Sequence, residues 1–313
     1  MIEPETLAKL ARLLGIEAAE LRAQPLPGGL SNRSCLLSCG RDRWAVRLPL
    51  GSRFGEASSP GGPSSSGEAS FSGEVSCANE TLSLESERQV LALTAEAKLS
   101  PQVIACDTGT GALITRYLRG ATTLNPGRIR DPANIDRAAA MLRRLHNLPA
   151  PTGLRTFRPT ELARSYINAA FGPTGAPHGD ADELRRWSTE FRHLAQAYEA
   201  AFNPTALCHN DLVAANILDD GRLWLVDFEF AVRADPIVDL AGLAGLNGFG
   251  QAHCRRLMDA YYGPDAAPVS VSQLSQVVRL VQLMAYFWAL AHGGADSTDD
   301  RKRFAAAMAA VLR

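Results

Sequence analysis

The segment LCHNDLVAANILDDGRLWLVDFEF, residues 207–230, decides the fold and the function that we predict for this chain. Two short apolar runs flank a DDGR turn, and this pattern predicts a β-hairpin. Asp211 and Asn216 precede the first strand of the hairpin, and Asp227 directly follows the second strand. Because a hairpin returns the chain to the end where it began, we expect Asp227 to lie beside Asn216.

These polar side chains are of the types that phosphoryl transfer requires. The reaction needs a carboxylate to orient the accepting hydroxyl and take its proton, and two oxygen ligands to hold Mg²⁺ against the phosphates. Asp211 and Asn216 have the D-x-x-x-x-N spacing of a catalytic loop, and Asp227 follows an apolar strand. The alternative is a plain hairpin whose Asp and Asn residues only form turns and caps. His209, ahead of Asp211, and the D-F-E sequence favour the catalytic interpretation.

Length, composition and charge limit the class of protein. The 313 residues, 46% of them hydrophobic, suffice for two lobes that each bury a core. The formal net charge is −1, without a basic block, so nucleic acid is not an expected partner. We find no apolar run of the roughly 18 residues that span a bilayer, and expect a cytoplasmic protein without a membrane partner. The six scattered cysteines predict free thiols, and the oligomeric state stays open.

The chain changes character near residue 118. Four strand-like runs with turn signals between them come before this point, and mainly helical periodicity follows it. The strand-like runs are residues 34–39, 44–48, 103–106 and 112–117, and the clearest helices are residues 137–148 and 181–201. We therefore predict an α+β fold with a small β-rich N-terminal lobe, residues 1–118, and a larger helical C-terminal lobe, residues 119–313. Residues 51–76, rich in Gly, Ser and Pro, predict a flexible insertion.

A glycine turn ahead of the first long strand is a candidate for phosphate binding. Such a turn lets backbone amides approach phosphates, and Gly28, Gly29, Ser31 and Asn32 lie in it. It lacks the G-x-G-x-x-G pattern, so a simple Pro-Gly-Gly turn is the alternative.

The N-terminal lobe offers further candidates for nucleotide binding. Arg47 lies on the predicted third strand, where protein kinases carry lysine, and its guanidinium can bridge phosphate oxygens. The helix that begins near residue 84 supplies a carboxylate to hold this cation, with Glu87 as the first choice and Glu85 as the alternative. Thr115 and Tyr117 lie where the chain leaves the lobe, and their backbone groups are candidates for adenine binding.

The chain carries, in order, the motifs LPGGLSNRS, WAVRL, ESERQVL, LITRYLRG, LRRLHNLP, CHNDLVAANIL and VDFEFAVRADPIVDLAGL. This series resembles the choline and thiamine kinase branch of the aminoglycoside phosphotransferase-like family over residues 26–243, and more weakly to His292. The resemblance implies a bilobal protein-kinase-like fold that transfers the γ-phosphate of ATP, with Mg²⁺, to an alcohol group of a small molecule. It also makes Arg47 and Glu87 the phosphate-positioning pair, although the insertion at 51–76 departs from the pattern between them.

The same resemblance assigns roles to the residues of the opening segment. It makes Asp211 the catalytic base and makes Asn216 and Asp227 the Mg²⁺ ligands. His209 and Asp239 are then expected to brace the catalytic loop through hydrogen bonds.

The acceptor is predicted to be a compact cation that carries a hydroxyl group. A carboxylate and aromatic ring faces would hold such a cation, and Glu229 and Trp288 are the candidates. We expect Phe287, beside Trp288, to pack in the core, and core packing is also the alternative for Trp288. We expect His146 and His292 to be structural. Thiamine is ranked first, with choline or ethanolamine next. The alternatives are an aminoglycoside or sugar phosphotransferase and a catalytically silent pseudokinase that binds a nucleotide or a partner.

Overall fold

The structure is a computed structural model that describes residues 2–26, 32–49, 82–107, 109–171, 180–264, 266–292 and 299–313. The described residues form two compact units. The first takes its residues from Met1–Asn79 and Val103–Tyr117, and the second from Glu80–Gln102 and Leu118–Arg313. The sequence placed everything before residue 119 in one lobe, whereas the contacts group Glu80–Gln102 with the helical part. The lobe boundary itself stays a prediction.

The first unit is built on an antiparallel sheet. In its described residues the sheet has five strands, in the order β1-β2-β3-β5-β4. The strands are β1 (Arg22–Pro25), β2 (Asn32–Cys39), β3 (Asp42–Pro49), β4 (Val103–Asp107) and β5 (Ala112–Arg116). Helix α1 (Pro4–Leu14) contributes Leu10 to a core with Leu37 and Val46 of the sheet. The helix ends at Gly15, whose φ of 67° is in the left-handed region that glycine enters without strain.

The second unit is mainly helical. Its helices are α2 (Leu84–Glu96), α3 (Pro126–Ile129), α4 (Pro132–His146), α5 (Pro159–Phe171), α6 (Ala181–Ala201), α7 (Ile237–Leu246), α8 (Gln251–Tyr262), α9 (Val271–Ala291) and α10 (Asp299–Leu312). Side-chain caps fix several starts, since Asp131 accepts from Ala133 N ahead of α4 and Ser270 forms a capping box with Gln273 ahead of α9.

Short strands carry the segment that opened the sequence analysis. They are β6 (Thr122–Thr123), β7 (Ala206–Cys208), β8 (Ile217–Asp219), β9 (Leu223–Leu225) and β10 (Val232–Ala234). The predicted hairpin is confirmed, because β8 pairs antiparallel with β9, and β6 extends this sheet. Strand β7 pairs with β10, so the loops on both sides of the hairpin begin and end on one small sheet. The predicted α+β class is confirmed.

Helix α9 bears on the expectation that the chain has no membrane partner. Among the described residues it is long and apolar enough to cross a membrane, judged by length and composition alone. Helices α5, α6, α7, α8 and α10 all pack against it, and Leu280, Leu283 and Phe287 are buried there. We therefore interpret α9 as the central core helix of the second unit, and the expected core role of Phe287 is confirmed.

Candidate active site

Asp211 and Asn216 are joined side chain to side chain in the loop between β7 and β8. Asn216 Nδ2 donates to Asp211 Oδ2 at 2.8 Å and to the backbone oxygen of Asp211 at 2.9 Å. Within the described residues both bonds of this side chain use Nδ2, so Oδ1 is the atom that can ligate a cation. The spacing that suggested a catalytic loop therefore corresponds to direct contact.

His209 is held in one tautomer by the two bonds of its ring. Its Nε2 lies 3.0 Å from the oxygen of Val226, and a carbonyl only accepts, so Nε2 carries the proton. Its Nδ1 then accepts from the backbone N–H of Asp211 at 3.3 Å. Burial lowers the pKa of His209, which keeps the ring neutral and preserves both bonds. His209 thus ties the base of the loop to the hairpin, a bracing role that the sequence predicted.

Asp239, in the first turn of α7, holds the loop between β7 and β8 through hydrogen bonds. Its two carboxylate oxygens accept from the backbone N–H groups of His209 and Asn210, each at 2.8 Å. His146 Nε2 lies 3.0 Å from the same carboxylate. Burial alone would raise the pKa of Asp239, but the hydrogen bond and charge interaction with His146, and the hydrogen bond from the backbone N–H of Asn210, hold it below its ordinary value. Asp239 therefore stays ionised while fully buried.

Asn247 is a second brace, and the sequence analysis missed it. This side chain caps α7 and is almost fully buried. Its Oδ1 accepts from Ala214 N at 2.7 Å, and its Nδ2 donates to Leu212 O and Leu243 O at 2.8 Å. Of these partners, Leu212 and Ala214 follow Asp211 in the loop, and Leu243 lies on α7. A single Asn at the end of an apolar helix gave no signal that could have revealed this role.

Asp227 reaches the neighbourhood of Asn216 as predicted. The backbone N–H of Val226, the residue before Asp227, donates to Asn216 O at 3.0 Å. Asp227 and Asn210 both adopt positive φ angles, 66° and 64°. Asp and Asn enter this left-handed region more readily than other side-chain-bearing residues, at some cost in backbone energy. Such strain is concentrated at functional sites, where the surroundings hold it in place.

Three carboxylates of the site, those of Asp211, Asp227 and Glu229, interact electrostatically. Burial, and after it the charges of Asp227 and Glu229, raise the pKa of Asp211 to about 7, against the lowering effect of the Asn216 bond. Glu229 is itself buried, with 8% of its surface exposed. A bound divalent cation would relieve this repulsion. The predicted ligands, the Asp227 carboxylate and the Asn216 amide oxygen, are hard oxygen donors that suit Mg²⁺.

A buried cluster of His146, Cys208 and Asp239 has ligand atoms within 4.8 Å of one another. Both ring nitrogens of His146 are already engaged, Nδ1 with Tyr261 Oη at 2.7 Å and Nε2 with Asp239. Burial raises the pKa of the Cys208 thiol well above its usual value, so the metal-binding thiolate is disfavoured. We interpret the cluster as a hydrogen-bonding support for Asp239, which agrees with the structural role expected for His146.

The two glutamates proposed on α2 occupy different environments. Glu87 is buried, with 1% of its surface exposed. Glu85 is exposed and bonds Arg88 and Gln89, and the Arg88 bond does most to lower its pKa, to about 2. The segment before the helix is joined to the site, since Leu82 N donates to Glu229 O at 2.7 Å. Of the two, Glu87 is therefore the better candidate.

The remaining nucleotide-site candidates belong to the first unit. Arg47 lies on β3, between Ser34 of β2 and Leu113 of β5, at the centre of the sheet. Thr115 is on β5, and the N–H of Tyr117 lies 3.4 Å from Arg43 O. The pairing of Arg47 with Glu87 and the adenine contacts stay predictions.

The predicted phosphate-binding turn lies only partly within the described residues. Asn32 is the buried first residue of β2. Gly28, Gly29 and Ser31 lie outside the described residues, as does the predicted insertion at 51–76.

Trp288, the proposed acceptor residue on α9, is half-buried among other rings. Phe230, the neighbour of Glu229, meets it edge to face at 6.3 Å between ring centroids. The His292 ring lies at 5.0 Å and is tilted by 33°, and the guanidinium carbon of Arg301 lies 5.8 Å from the ring centroid. Phe230, which contacts Trp288, directly follows Glu229 in the sequence.

Comparison with known proteins places this geometry among phosphotransferases. The model of the phosphotransferase enzyme family matches residues 22–271. Protein LicA of Haemophilus influenzae is 28% identical over 148 residues, 46% of this chain and 53% of that protein. The chain thus spans about half the length of the curated relatives it matches.

Solved structures extend the likeness to nearly the whole chain. A choline/ethanolamine kinase family protein from Mesorhizobium loti superposes with a TM-score of 0.72 at 25% identity, covering 100% of this chain and 95% of that one. LicA in complex with AMP gives a TM-score of 0.71 at 19% identity, covering 98% and 97% of the two chains. The fold is that of these kinases.

Proposed function

We propose, from the premise that this chain belongs to the phosphotransferase enzyme family, that it transfers the γ-phosphate of ATP to the hydroxyl group of a compact cationic alcohol. Membership confirms the resemblance to the aminoglycoside phosphotransferase-like family that was drawn from the sequence motifs. The observation that carries the proposal is the contact between Asn216 and Asp211, with Asp227 following the adjacent strand. This is the arrangement in which a base and two metal ligands serve one phosphoryl transfer.

Asp211 is the proposed base. It is part-buried, and its position in the loop is fixed through His209 and Asn247, which hold the backbone on either side. A base works best when its pKa is near the operating pH, and the acidic surroundings of Asp211 move its pKa in that direction. In the proposed reaction it orients the acceptor hydroxyl and takes its proton as the oxygen attacks the phosphate.

Mg²⁺ is proposed to be held by the Asn216 amide oxygen and the Asp227 carboxylate. When bound, it would neutralise phosphate charge and orient the γ-phosphate for in-line attack. The residues Gly28, Gly29, Ser31, Asn32, Arg47, Glu87, Thr115 and Tyr117 are proposed to bind the nucleotide. The AMP bound to the solved LicA supports a nucleotide site in a protein of this fold.

The acceptor proposal rests on charge and aromatic surface. Glu229 supplies a buried carboxylate beside Asp211, and Trp288 and Phe230 supply rings near it. The name of the Mesorhizobium loti protein favours choline or ethanolamine as the first acceptor to test. Thiamine, ranked first from the sequence, is supported by the motif resemblance alone. A cytoplasmic location is part of the same proposal.

The test is a panel of acceptors with purified protein, in which phosphorylated product is detected by mass spectrometry. Choline, ethanolamine, thiamine, an aminoglycoside and a neutral sugar would be compared with ATP, with and without Mg²⁺. We expect Mg²⁺-dependent phosphorylation of choline or ethanolamine, and none by the Asp211→Asn variant. A tenfold preference for an aminoglycoside or a sugar would overturn the acceptor. No product with any acceptor would favour a nucleotide-binding module without catalysis.

A further inference from the structure

Arg301 contacts the aromatic ring that is proposed to bind the cationic acceptor. Its guanidinium carbon lies 5.8 Å from the centroid of the Trp288 ring, within the range of a cation–π contact. Its Nη1 donates to His292 O at 2.9 Å, which anchors the side chain to the end of α9. The ring of His292 also stacks near Trp288, so two basic side chains surround this indole.

The position of Arg301 is not explained by the stability of its own helix. It lies in the first turn of α10, where the helix dipole opposes a positive charge. Its neighbours Lys302 and Arg303 point to solvent, and Arg303 pairs with Asp300 at 2.8 Å. Arg301 is half-buried and turns toward α9 instead. Its guanidinium contacts the Trp288 ring and donates to His292 O.

Trp288 in turn connects Arg301 with the acidic part of the candidate site. Phe230 packs against the Trp288 ring, and Phe230 follows Glu229 directly in sequence. A cationic acceptor held by Glu229 and Trp288, as proposed above, would meet the indole that Arg301 already contacts. A ring face attracts a cation through its quadrupole, and two like charges on one indole repel each other.

We propose that Arg301 is a specificity-determining residue, an internal cation that competes with the acceptor for the Trp288 ring. A cationic alcohol must displace the guanidinium or bind against its charge, so Arg301 weakens the binding of simple cations. This inference rests on the proposed cationic acceptor and names a residue that sets the affinity for it.

The experiment measures choline binding by isothermal titration calorimetry, which needs no catalysis. Wild type, Arg301→Gln, Arg301→Lys and Arg303→Gln would be compared, with melting temperatures to confirm that each folds. Arg303→Gln removes the same charge from the exposed side of the same helix turn and is the matched control. We expect Arg301→Gln to bind choline about two- to fivefold more tightly than wild type, the value of one exposed cation–π contact.

Arg301→Lys, which keeps the charge, should bind choline with an affinity between those of wild type and Arg301→Gln, and Arg303→Gln should leave it unchanged. Equal or weaker binding by Arg301→Gln would overturn the inference, as would the same gain from Arg303→Gln. Absence of choline binding in every variant would overturn it as well. If the affinities change as expected but the acceptor panel yields no product, the proposed function fails while the role of Arg301 stands. If wild type phosphorylates choline and Arg301→Gln binds it unchanged, only the inference fails.

Discussion

Asp239 and Asn247 hold the same loop from opposite ends of one helix. At the start of α7, Asp239 accepts hydrogen bonds from the backbone N–H groups of His209 and Asn210. At the end of α7, Asn247 donates a hydrogen bond to Leu212 O and accepts one from Ala214 N. Asp211, the proposed base, lies between the two anchored stretches. A rigid helix therefore sets the position of the loop without contacting the carboxylate that is proposed to react.

Asn247→Ala should loosen one of these anchors. It removes three hydrogen bonds of a buried side chain and leaves buried backbone groups without partners, which costs about 1 to 3 kcal/mol of unfolding free energy. These three hydrogen bonds join Asn247 to backbone groups that support the loop. We therefore expect kcat to fall and the KM values for both substrates to change little. Urea unfolding and steady-state kinetics measure the two effects. The exposed Asn203→Ala is the control, and a change in KM alone would contradict the bracing role.

Asp211→Asn should separate binding from chemistry. The amide keeps the size of the side chain but cannot take a proton, so turnover should fall by about 10² to 10⁴, the range for a lost general base. Nucleotide affinity should remain. Asp227→Ala should instead weaken Mg²⁺-dependent ATP binding along with turnover, as measured by titration with and without Mg²⁺. An Asp211→Asn enzyme with most of its turnover would show that another group is the base.

Asp219 offers a test of pH-dependent stability away from the reacting groups. Arg137 donates to its two oxygens at 2.7 and 3.0 Å and does most to lower its pKa. Because the folded-state pKa lies below the unfolded value, the pair stabilises the fold at neutral pH. That contribution is lost as the pH falls through the lowered pKa.

Asp219→Asn should therefore cost about 0.5 to 1 kcal/mol at pH 7, a value that allows for solvent screening of the partly exposed Arg137. The difference from wild type in urea unfolding should be constant between about pH 5 and 8 and should shrink below about pH 4. Asp136→Asn breaks a more exposed pair with Arg256 and should have a smaller effect. A difference that grows on acidification would contradict the assignment.

The parts of the site that could be predicted from the sequence are those with local patterns. Asp211 and Asn216 were found through their spacing, and Asp227 through the apolar strand before it. Hairpin geometry then required Asp227 and Asn216 to be neighbours, and the structure agrees. Local spacing sufficed because the hairpin itself supplies the contact.

The supports of the site depend on contacts between distant residues, which periodicity does not encode. Asn247 bonds Ala214 across 33 positions, and His146 bonds Asp239 across 93. The contacts also group α2 with the helical unit, and the bond from Leu82 N to Glu229 O joins segments far apart in sequence. The approach of Arg301 to Trp288 is likewise a contact between separate helices, α10 and α9.

Glu229→Gln should test whether a buried carboxylate holds the acceptor. Glu229 is isosteric with glutamine, so the fold and the Phe230 contact with Trp288 should survive, while the negative charge is lost. A hydrogen bond or ion contact to a charged group contributes about 1.5 to 3 kcal/mol, so the KM for choline should rise about 10- to 100-fold. The KM for ATP should not follow. Glu161→Gln, an exposed acid on α5, is the control and should leave both constants unchanged. An equal rise in the KM for ATP would place Glu229 at the nucleotide instead, and an unchanged KM for choline would remove it from the acceptor site.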